Sequence, residues 1–125
     1  MITFLHEYLG KNEMMAYLVM MIIRLKELQR VLKPIGSIYL HCDPTASHYL
    51  KIILDDIFGI RNFRNEIIWK RTHAHSGAKR FGPVHNILLF YTKLDSYVWN
   101  TQYLPNRMSF NSTFALCLVD LASFQ

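Results

Sequence analysis

Two short segments combine residue types that could do chemistry. The first, His41-Cys42-Asp43-Pro44, places an imidazole, a thiol and a carboxylate directly after an apolar run. The second, residues 71–83, mixes cations with histidines, two glycines and Phe81. Polar groups of the first kind suit the rim of a ligand pocket, whereas cations beside small polar residues suit phosphate oxygens.

The basic residues are concentrated around the second segment. The 125-residue chain has 14 Lys and Arg and 9 Asp and Glu, which gives a net charge of +5. Residues 61–80 contain six of the basic residues and only one acid, Glu66, so this window alone accounts for 6 − 1 = +5. Such a concentration favours an anionic partner such as nucleic acid. The alternative is a solvated loop with no partner.

The elements that must position these segments follow from periodicity. Apolar residues at steps of three and four predict a helix over residues 12–33, and a second helix begins at Asp43-Pro44 and runs to Phe58. Residues 36–42, 66–70 and 86–92 have the composition of strands. The helix between the first two strands predicts a parallel pair, and the helix-free connection between the last two predicts an antiparallel hairpin. The expected class is α/β.

The end of the first predicted strand is a candidate pocket edge. In open α/β sheets, ligands bind beyond the carboxyl ends of the strands, which is where His41 and Asp43 lie. The alternative is structural, with Asp43 capping the following helix and His41 packed against its neighbours. The residues alone leave both readings open.

Other classes of function have little support. His73 and His75 are too few ligands for a metal site, and no phosphate-binding loop, dinucleotide fingerprint or nucleophile elbow is present. The apolar run from Met14 to Ile23 is only ten residues long, whereas a bilayer span needs about 20. Two cysteines give no disulfide framework. We therefore expect a cytoplasmic protein with no metal and no membrane contact.

Three longer sequence segments resemble bacterial site-specific DNA methyltransferases that modify adenine N6 or cytosine N4. Within these enzymes the resemblance is to the beta-class, type III modification-like kind. The segments are RLKELQRVLKPIGSIYLHCDPTASHYLK at residues 24–51, NFRNEIIWKR at 62–71 and VHNILLFYTK at 84–93. The resemblance covers residues 5 to about 103, in the order of the family. It implies a partial Rossmann-like sheet with two helices, the parallel pair and a terminal antiparallel hairpin whose last strand is reversed.

The resemblance also implies chemistry. In the family, S-adenosylmethionine supplies a methyl group to an exocyclic amino group of a flipped base. An Asp-Pro-Pro-aromatic motif binds that amino group, and a Phe-x-Gly-x-Gly motif binds the cofactor. Neither motif occurs here, because Asp43-Pro44-Thr45-Ala46 lacks the second proline and the aromatic residue. No residue of this chain is therefore assigned a catalytic role, and cofactor-binding residues are unknown.

The family's loop and following strand match part of this chain. This match implies DNA contact for a set of basic and histidine side chains: Arg71, His73, His75, Lys79, Arg80 and His85. The family usually has His-Asp where this chain has His85-Asn86, so one carboxylate near the substrate is absent. Residues 104–125 do not resemble the family. We divide the chain into a partial methyltransferase domain, residues 1–103, and a divergent tail, residues 104–125.

The sequence thus predicts a central fragment of a DNA methyltransferase that is inactive alone. Its expected partners are DNA and either a restriction subunit or a complementing methyltransferase half. The alternatives are a non-catalytic DNA-binding module and an inert truncated gene product.

Overall fold

The computed structural model describes residues 1–71, residue 79 and residues 81–103. In this part of the chain three helices, α1 (Ile2–Leu9), α2 (Glu13–Val31) and α3 (Pro44–Phe58), accompany three strands, β1 (Ser37–Cys42), β2 (Phe63–Lys70) and β3 (His85–Thr92). A 3₁₀ turn, Ile60–Asn62, leads into β2. The expected α/β class is confirmed.

Local interactions fix where the long helices begin and where α3 ends. Asn12 caps α2 by accepting a 2.8 Å hydrogen bond from the backbone N–H of Met15, and Asp43 caps α3 by accepting one of 3.1 Å from Ala46. These bonds satisfy backbone donors that the first helical turn leaves free. Gly59 ends α3 at φ 88°, a conformation that residues with a Cβ rarely adopt.

The three strands form one sheet in the order β1-β3-β2, with both pairings antiparallel. The predicted hairpin of β2 and β3 is confirmed. The predicted parallel pair is wrong, because β3 lies between β1 and β2 and pairs with each. The reason is burial: most side chains of β3 are buried, which suits a central strand, whereas the alternating charges of β2 suit an edge.

The helices cover one face of the sheet. Leu18 and Leu25 of α2 and Leu50 and Leu54 of α3 are fully buried in one cluster with Leu89 of β3. In α2 the buried residues Leu18, Ile22 and Leu25 follow at steps of four and three, as the periodicity predicted. Helix α1 was not predicted, since Leu5 is its only buried residue and no side chain caps its start.

Aromatic rings cover part of the opposite face. Tyr39 of β1 stacks on Phe90 of β3 at 4.4 Å between ring centroids, and Trp99 stacks on Phe90 at 6.0 Å. Arg64 holds this segment against the sheet, because its guanidinium donates to Thr92 Oγ1 at 2.9 Å and pairs with Asp95 at 3.1 Å. The chain after β3 thus packs back across the sheet.

Tyr91 links the centre of the sheet to α3. Its hydroxyl donates a 2.7 Å hydrogen bond to Asp55 Oδ1, and Lys51 Nζ pairs with Asp55 Oδ2 at 2.7 Å. Burial, followed by the hydrogen bond to Asp55, raises the pKa of Tyr91 above its ordinary value. The hydroxyl therefore remains a neutral donor, and Lys51 balances the carboxylate charge.

We expect Tyr91→Phe to lower the free energy of unfolding by about 1–3 kcal/mol, because it removes the hydroxyl that satisfies Asp55 while it keeps the ring. The control is Tyr8→Phe at a side chain that is 69% exposed, where we expect almost no change. Urea unfolding followed by circular dichroism measures both variants. Equal stability of the two would show that the Tyr91 hydroxyl contributes nothing.

Candidate functional site

A cavity of about 690 Å³ lies beyond the carboxyl end of β1. Acidic, basic, imidazole and amide side chains share its lining with apolar ones: Glu13, Met14, Tyr17, His41, Cys42, Asp43, Thr45, Ala46, Arg71 and Asn86. A volume of this order suits a small ligand or one nucleobase. The structure therefore places the two predicted pocket-edge residues, His41 and Asp43, in one cavity with Arg71.

Sheet register explains why these residues meet. Cys42 at the end of β1 lies opposite Ile87, near the start of β3. At the other edge Lys70, the last residue of β2, lies opposite His85. Because β3 is antiparallel to both neighbours, its start lies beside both of their ends. The backbone N–H of Arg71 donates a 2.8 Å bond to the Val84 carbonyl, which extends the hairpin by one residue and holds Arg71 at the cavity.

Asp43 takes part in both the cap of α3, through its Oδ1, and the lining of the cavity. His41 lines the cavity too, and it is exposed, so it is not a packed histidine. A cap holds the carboxylate in one position, which favours a defined contact with a ligand.

Cys42 is not suited to act as a nucleophile. Its side chain is 7% exposed, and burial, followed by the nearby Asp43 and Glu66, raises the pKa of its thiol to about 11. The reactive species of cysteine is the thiolate, which is scarce at neutral pH when the pKa is so high. Burial, with Cys42 and Asp43 nearby, also raises the pKa of Tyr17. Both groups are neutral hydrogen-bonding or packing elements of the wall.

Asn86, which also lines the cavity, has an unsatisfied polar atom. Its Oδ1 is buried and accepts no hydrogen bond within the part of the chain that the structure describes. A buried acceptor without a donor costs about 1–3 kcal/mol, and such atoms are few in folded proteins. Asn86 stands where the sequence comparison expected a carboxylate. An acceptor remains at this position, although without the charge.

The cations of residues 61–80 differ in how they are used. Lys70 and Arg71 lie at the end of β2 nearest the cavity, whereas Arg64 lies at the opposite end of the sheet, beside Thr92. Arg64 is fixed by Asp95, whereas Arg61, Lys70, Arg71 and Lys79 form no ion pair with any acid in the part of the chain that the structure describes. His85, half-buried at the start of β3, lies opposite Lys70. The predicted residues His73, His75 and Arg80 lie outside the described residues. The structure therefore leaves most of the described basic window available to an anion.

Sequence reasoning did not identify Glu13 and Tyr17 as part of the site. They are four residues apart on the first turns of α2, so they lie on one face of the helix. The predicted start of the helix at Asn12 already implied that Glu13 and Tyr17 lie on one face of its first turns. What the sequence could not supply was the packing of that end of α2 against the end of β1.

The described residues do not fit S-adenosylmethionine. The only strand-to-helix turn among them, between β1 and α3, contains no glycine, and the Ala46 N–H at its start already donates to Asp43 Oδ1. A nucleotide-like cofactor needs close backbone approach at such a turn. We assign no residue of this chain to cofactor binding.

Comparison with known proteins identifies the family. A family model described as DNA methylase matches residues 5–114. The type II methyltransferase M.EcaI of Enterobacter cloacae is 34% identical over 86 residues, which are 68% of this chain and 19% of that protein. The type II methyltransferase M.KpnI of Klebsiella pneumoniae is 36% identical over 85 residues, 67% of this chain and 20% of that protein.

The chain therefore belongs to the DNA methylase family, as its resemblance to adenine-N6 and cytosine-N4 methyltransferases predicted. It spans about a fifth of the length of the curated relatives it matches. Among the described residues no helix has the length and apolarity to cross a membrane, and no three His, Cys, Asp or Glu side chains group as metal ligands.

The Cys42 thiol should react slowly in the folded protein. In a Cys117→Ser background, we expect its reaction with a disulfide reagent at pH 8 to be at least about tenfold slower than in urea-unfolded protein. The rate should keep rising with pH and level off only above about pH 11, because the thiolate fraction grows until the pKa of the folded-state thiol is passed. Rapid native labelling at pH 8 would contradict the buried, neutral thiol.

Replacing Asn86 by leucine should not destabilise the fold. Leucine has a similar size and removes an acceptor that has no donor, so we expect unchanged or higher stability, by about 1 kcal/mol. The control is Asn100→Leu at an exposed position. Thermal unfolding measures both variants, and a loss of more than about 1 kcal/mol for Asn86→Leu alone would mean that Oδ1 has a donor.

Proposed function

We propose that this chain forms part of the DNA-facing cleft of a methyltransferase that modifies adenine N6 or cytosine N4. The observation that supports this most directly is the convergence of Arg71, Asp43, His41 and Asn86 on one cavity in a member of the DNA methylase family. The cations contact phosphates, and the cavity supports the extruded base. Arg71, His73, His75, Lys79, Arg80 and His85 are the proposed DNA contacts.

The sheet order supports a partial Rossmann-like methyltransferase fold. Strands β1 and β2 run in the same direction, and the reversed strand β3 lies between them. This arrangement agrees with the reversed last strand that the resemblance implies. It brings the ends of β1 and β2 to the same side as the start of β3, where a ligand has access.

The cavity could bind a polar ligand through complementary groups. Arg71 offers donors to a phosphate or a carbonyl, whereas Asp43 offers a carboxylate acceptor to an amino group. An exocyclic amino group on a flipped base presents such donors. The role of these residues is binding and orientation, and the methyl transfer itself requires groups that this chain does not contain.

The remaining parts of the proposal concern the intact enzyme. When bound there, S-adenosylmethionine supplies the methyl group. Residues 1–103 are the methyltransferase portion and residues 104–125 a divergent tail. The partner is DNA, together with a complementing methyltransferase half or a restriction subunit, in the cytoplasm. The chain by itself should not methylate DNA, and robust transfer of labelled methyl groups by the purified chain would contradict this.

DNA binding by the purified chain tests the proposed cleft. We expect Arg71→Ala to weaken binding to a duplex by severalfold and to lower the slope of log affinity against log salt by about 1, because one phosphate contact is lost. Lys26→Ala is the matched control, since Lys26 is an exposed cation on α2, outside the basic window. Fluorescence anisotropy at several salt concentrations measures both.

If Lys26→Ala and Arg71→Ala change affinity and salt slope equally, binding reflects net charge and the cleft assignment is wrong. If binding is strong and specific but never increases with any complementing methyltransferase part, the non-catalytic DNA-binding alternative is favoured.

A further inference from the structure

The face of the sheet opposite the helices is apolar, and we call it the open face. In β3, Leu89 lies in the helical core, so its neighbours Leu88 and Phe90 point to the open face. Paired residues of antiparallel strands share a face. The apolar side chains of the open face are therefore Leu88 and Phe90 of β3, Tyr39 of β1, and Ile67 and Trp69 of β2. A sheet face that meets water carries polar side chains instead.

The chain after β3 covers one end of the open face. Trp99 stacks on Phe90 with 6.0 Å between the ring centroids. Further along the strands, Leu88 and Trp69 are half-buried and Ile67 is 36% exposed. An apolar strip along β2 and β3 therefore remains accessible to a further cover.

The segment that covers this end of the sheet is itself apolar on its outer side. Val98 and Trp99 are 60% and 58% exposed, and Tyr103, the last described residue, is 90% exposed. Contiguous apolar surface of this kind marks a place where another segment binds. The exposed side chains continue the apolar strip in the direction in which the chain leaves the sheet.

The rest of the chain supplies a segment of matching character. Residues 104–125 follow Tyr103 directly, and within them residues 114–121, FALCLVDL, include one charged residue, Asp120. We call residues 114–121 the apolar tail segment. The match to the family model ends at residue 114, so this segment is a feature of this chain and lies beyond the matched family domain.

Attachment to the same chain favours this segment over a free partner. Residue 114 is 15 positions beyond Trp99 (114 − 99), and 15 residues can span up to roughly 50 Å, about twice the length of an eight-residue strand. A tethered segment of this length has an effective concentration of about 1 mM. A contact with a Kd of only about 0.1 mM would then be about 90% populated.

From these observations we infer that the apolar tail segment binds across the open face of the sheet, over Leu88, Ile67 and Trp69. The tail thereby serves as a second cover of the sheet, on the side that the helices leave free. The inference does not depend on the proposed function, because it concerns how this chain covers its own sheet. Since Trp69 precedes Arg71 by two residues, the same contact supports the end of β2 that presents Arg71 to the cavity.

Cys117 lies inside the apolar tail segment and provides a native probe of where that segment binds. In a full-length Cys42→Ala background, Ile67→Cys places a second thiol on the open face. We expect mild oxidation to join this thiol to Cys117 at least about tenfold faster than the thiol of Ile52→Cys, because a disulfide needs Cα atoms within about 7 Å of each other. Electrophoresis without reductant and peptide mass spectrometry measure both rates.

Ile52 is the matched control, because it is an isoleucine of similar exposure, 43% against 36%, on α3 at the helical side of the sheet. Each rate is divided by the rate at which the same thiols react with a small thiol reagent, so that differences in thiol reactivity cancel. In urea the two normalised rates should be nearly equal, since loops of 50 (117 − 67) and 65 (117 − 52) residues close with similar entropy.

Charge in the tail tests whether the contact is apolar. In the Ile67→Cys protein, Phe114→Glu with Leu121→Glu should slow the normalised rate at least about fivefold, because carboxylates resist burial against apolar side chains. Asn111→Glu with Ser112→Glu adds the same charge outside the apolar tail segment and should change the rate by less than about twofold. Circular dichroism checks that every variant is folded. Leu88→Cys, at the position paired with Ile67, gives the same comparison from the neighbouring strand.

A preference for the open face that is present in the folded chain and lost in urea supports the inference. Two results would overturn it: equal normalised rates for the sheet and α3 thiols in the folded protein, or a rate that the two tail glutamates leave unchanged. A disulfide that joins two chains, at a rate that rises with protein concentration, would also overturn it, because the tail of a second copy would then be the occupant.

Discussion

The pairing of β3 with both of its neighbours is the constraint on which the rest of the structure depends. This strand has the most buried side chains of the three and takes the central position. Its antiparallel direction brings its start to the ends of β1 and β2, and so places Arg71, Asn86 and Asp43 around one cavity. The same strand carries Tyr91, whose hydroxyl bonds to Asp55 and ties the sheet to α3.

Stability and function use different members of the basic window. Arg64 binds Thr92 and Asp95 and keeps the chain after β3 against the sheet. Arg71, one residue beyond β2, has its backbone fixed by Val84 while its side chain lines the cavity. The position along β2 separates them: Arg64, near its start, is paired with Asp95, whereas Lys70 and Arg71, at its end, form no ion pair with an acid in the described part of the chain. The net charge of residues 61–80 alone would not distinguish Arg64 from Arg71.

Local signals in the sequence predicted local structure well. The start of α2 near Asn12, the cap at Asp43, the end of α3 at Phe58 and the hairpin of β2 and β3 all follow from residue types and short spacings. The parallel pair was wrong because strand order depends on burial across the whole sheet, and a helix between two strands gives their direction without showing what lies between them. Glu13 and Tyr17 were missed for a similar reason, since the cavity forms only when α2 packs against the end of β1.

The central position of β3 has a consequence for how the chain acquires its structure during synthesis. Within the described residues β1 has no sheet neighbour except β3, and Cys42 is separated from its partner Ile87 by 44 positions along the chain (87 − 42 − 1). Until β3 has emerged from the ribosome, an uncharged apolar strand and two amphipathic helices have no sheet to pack on. The nascent chain therefore exposes this apolar surface to other chains until β3, the last of the described strands, has been made.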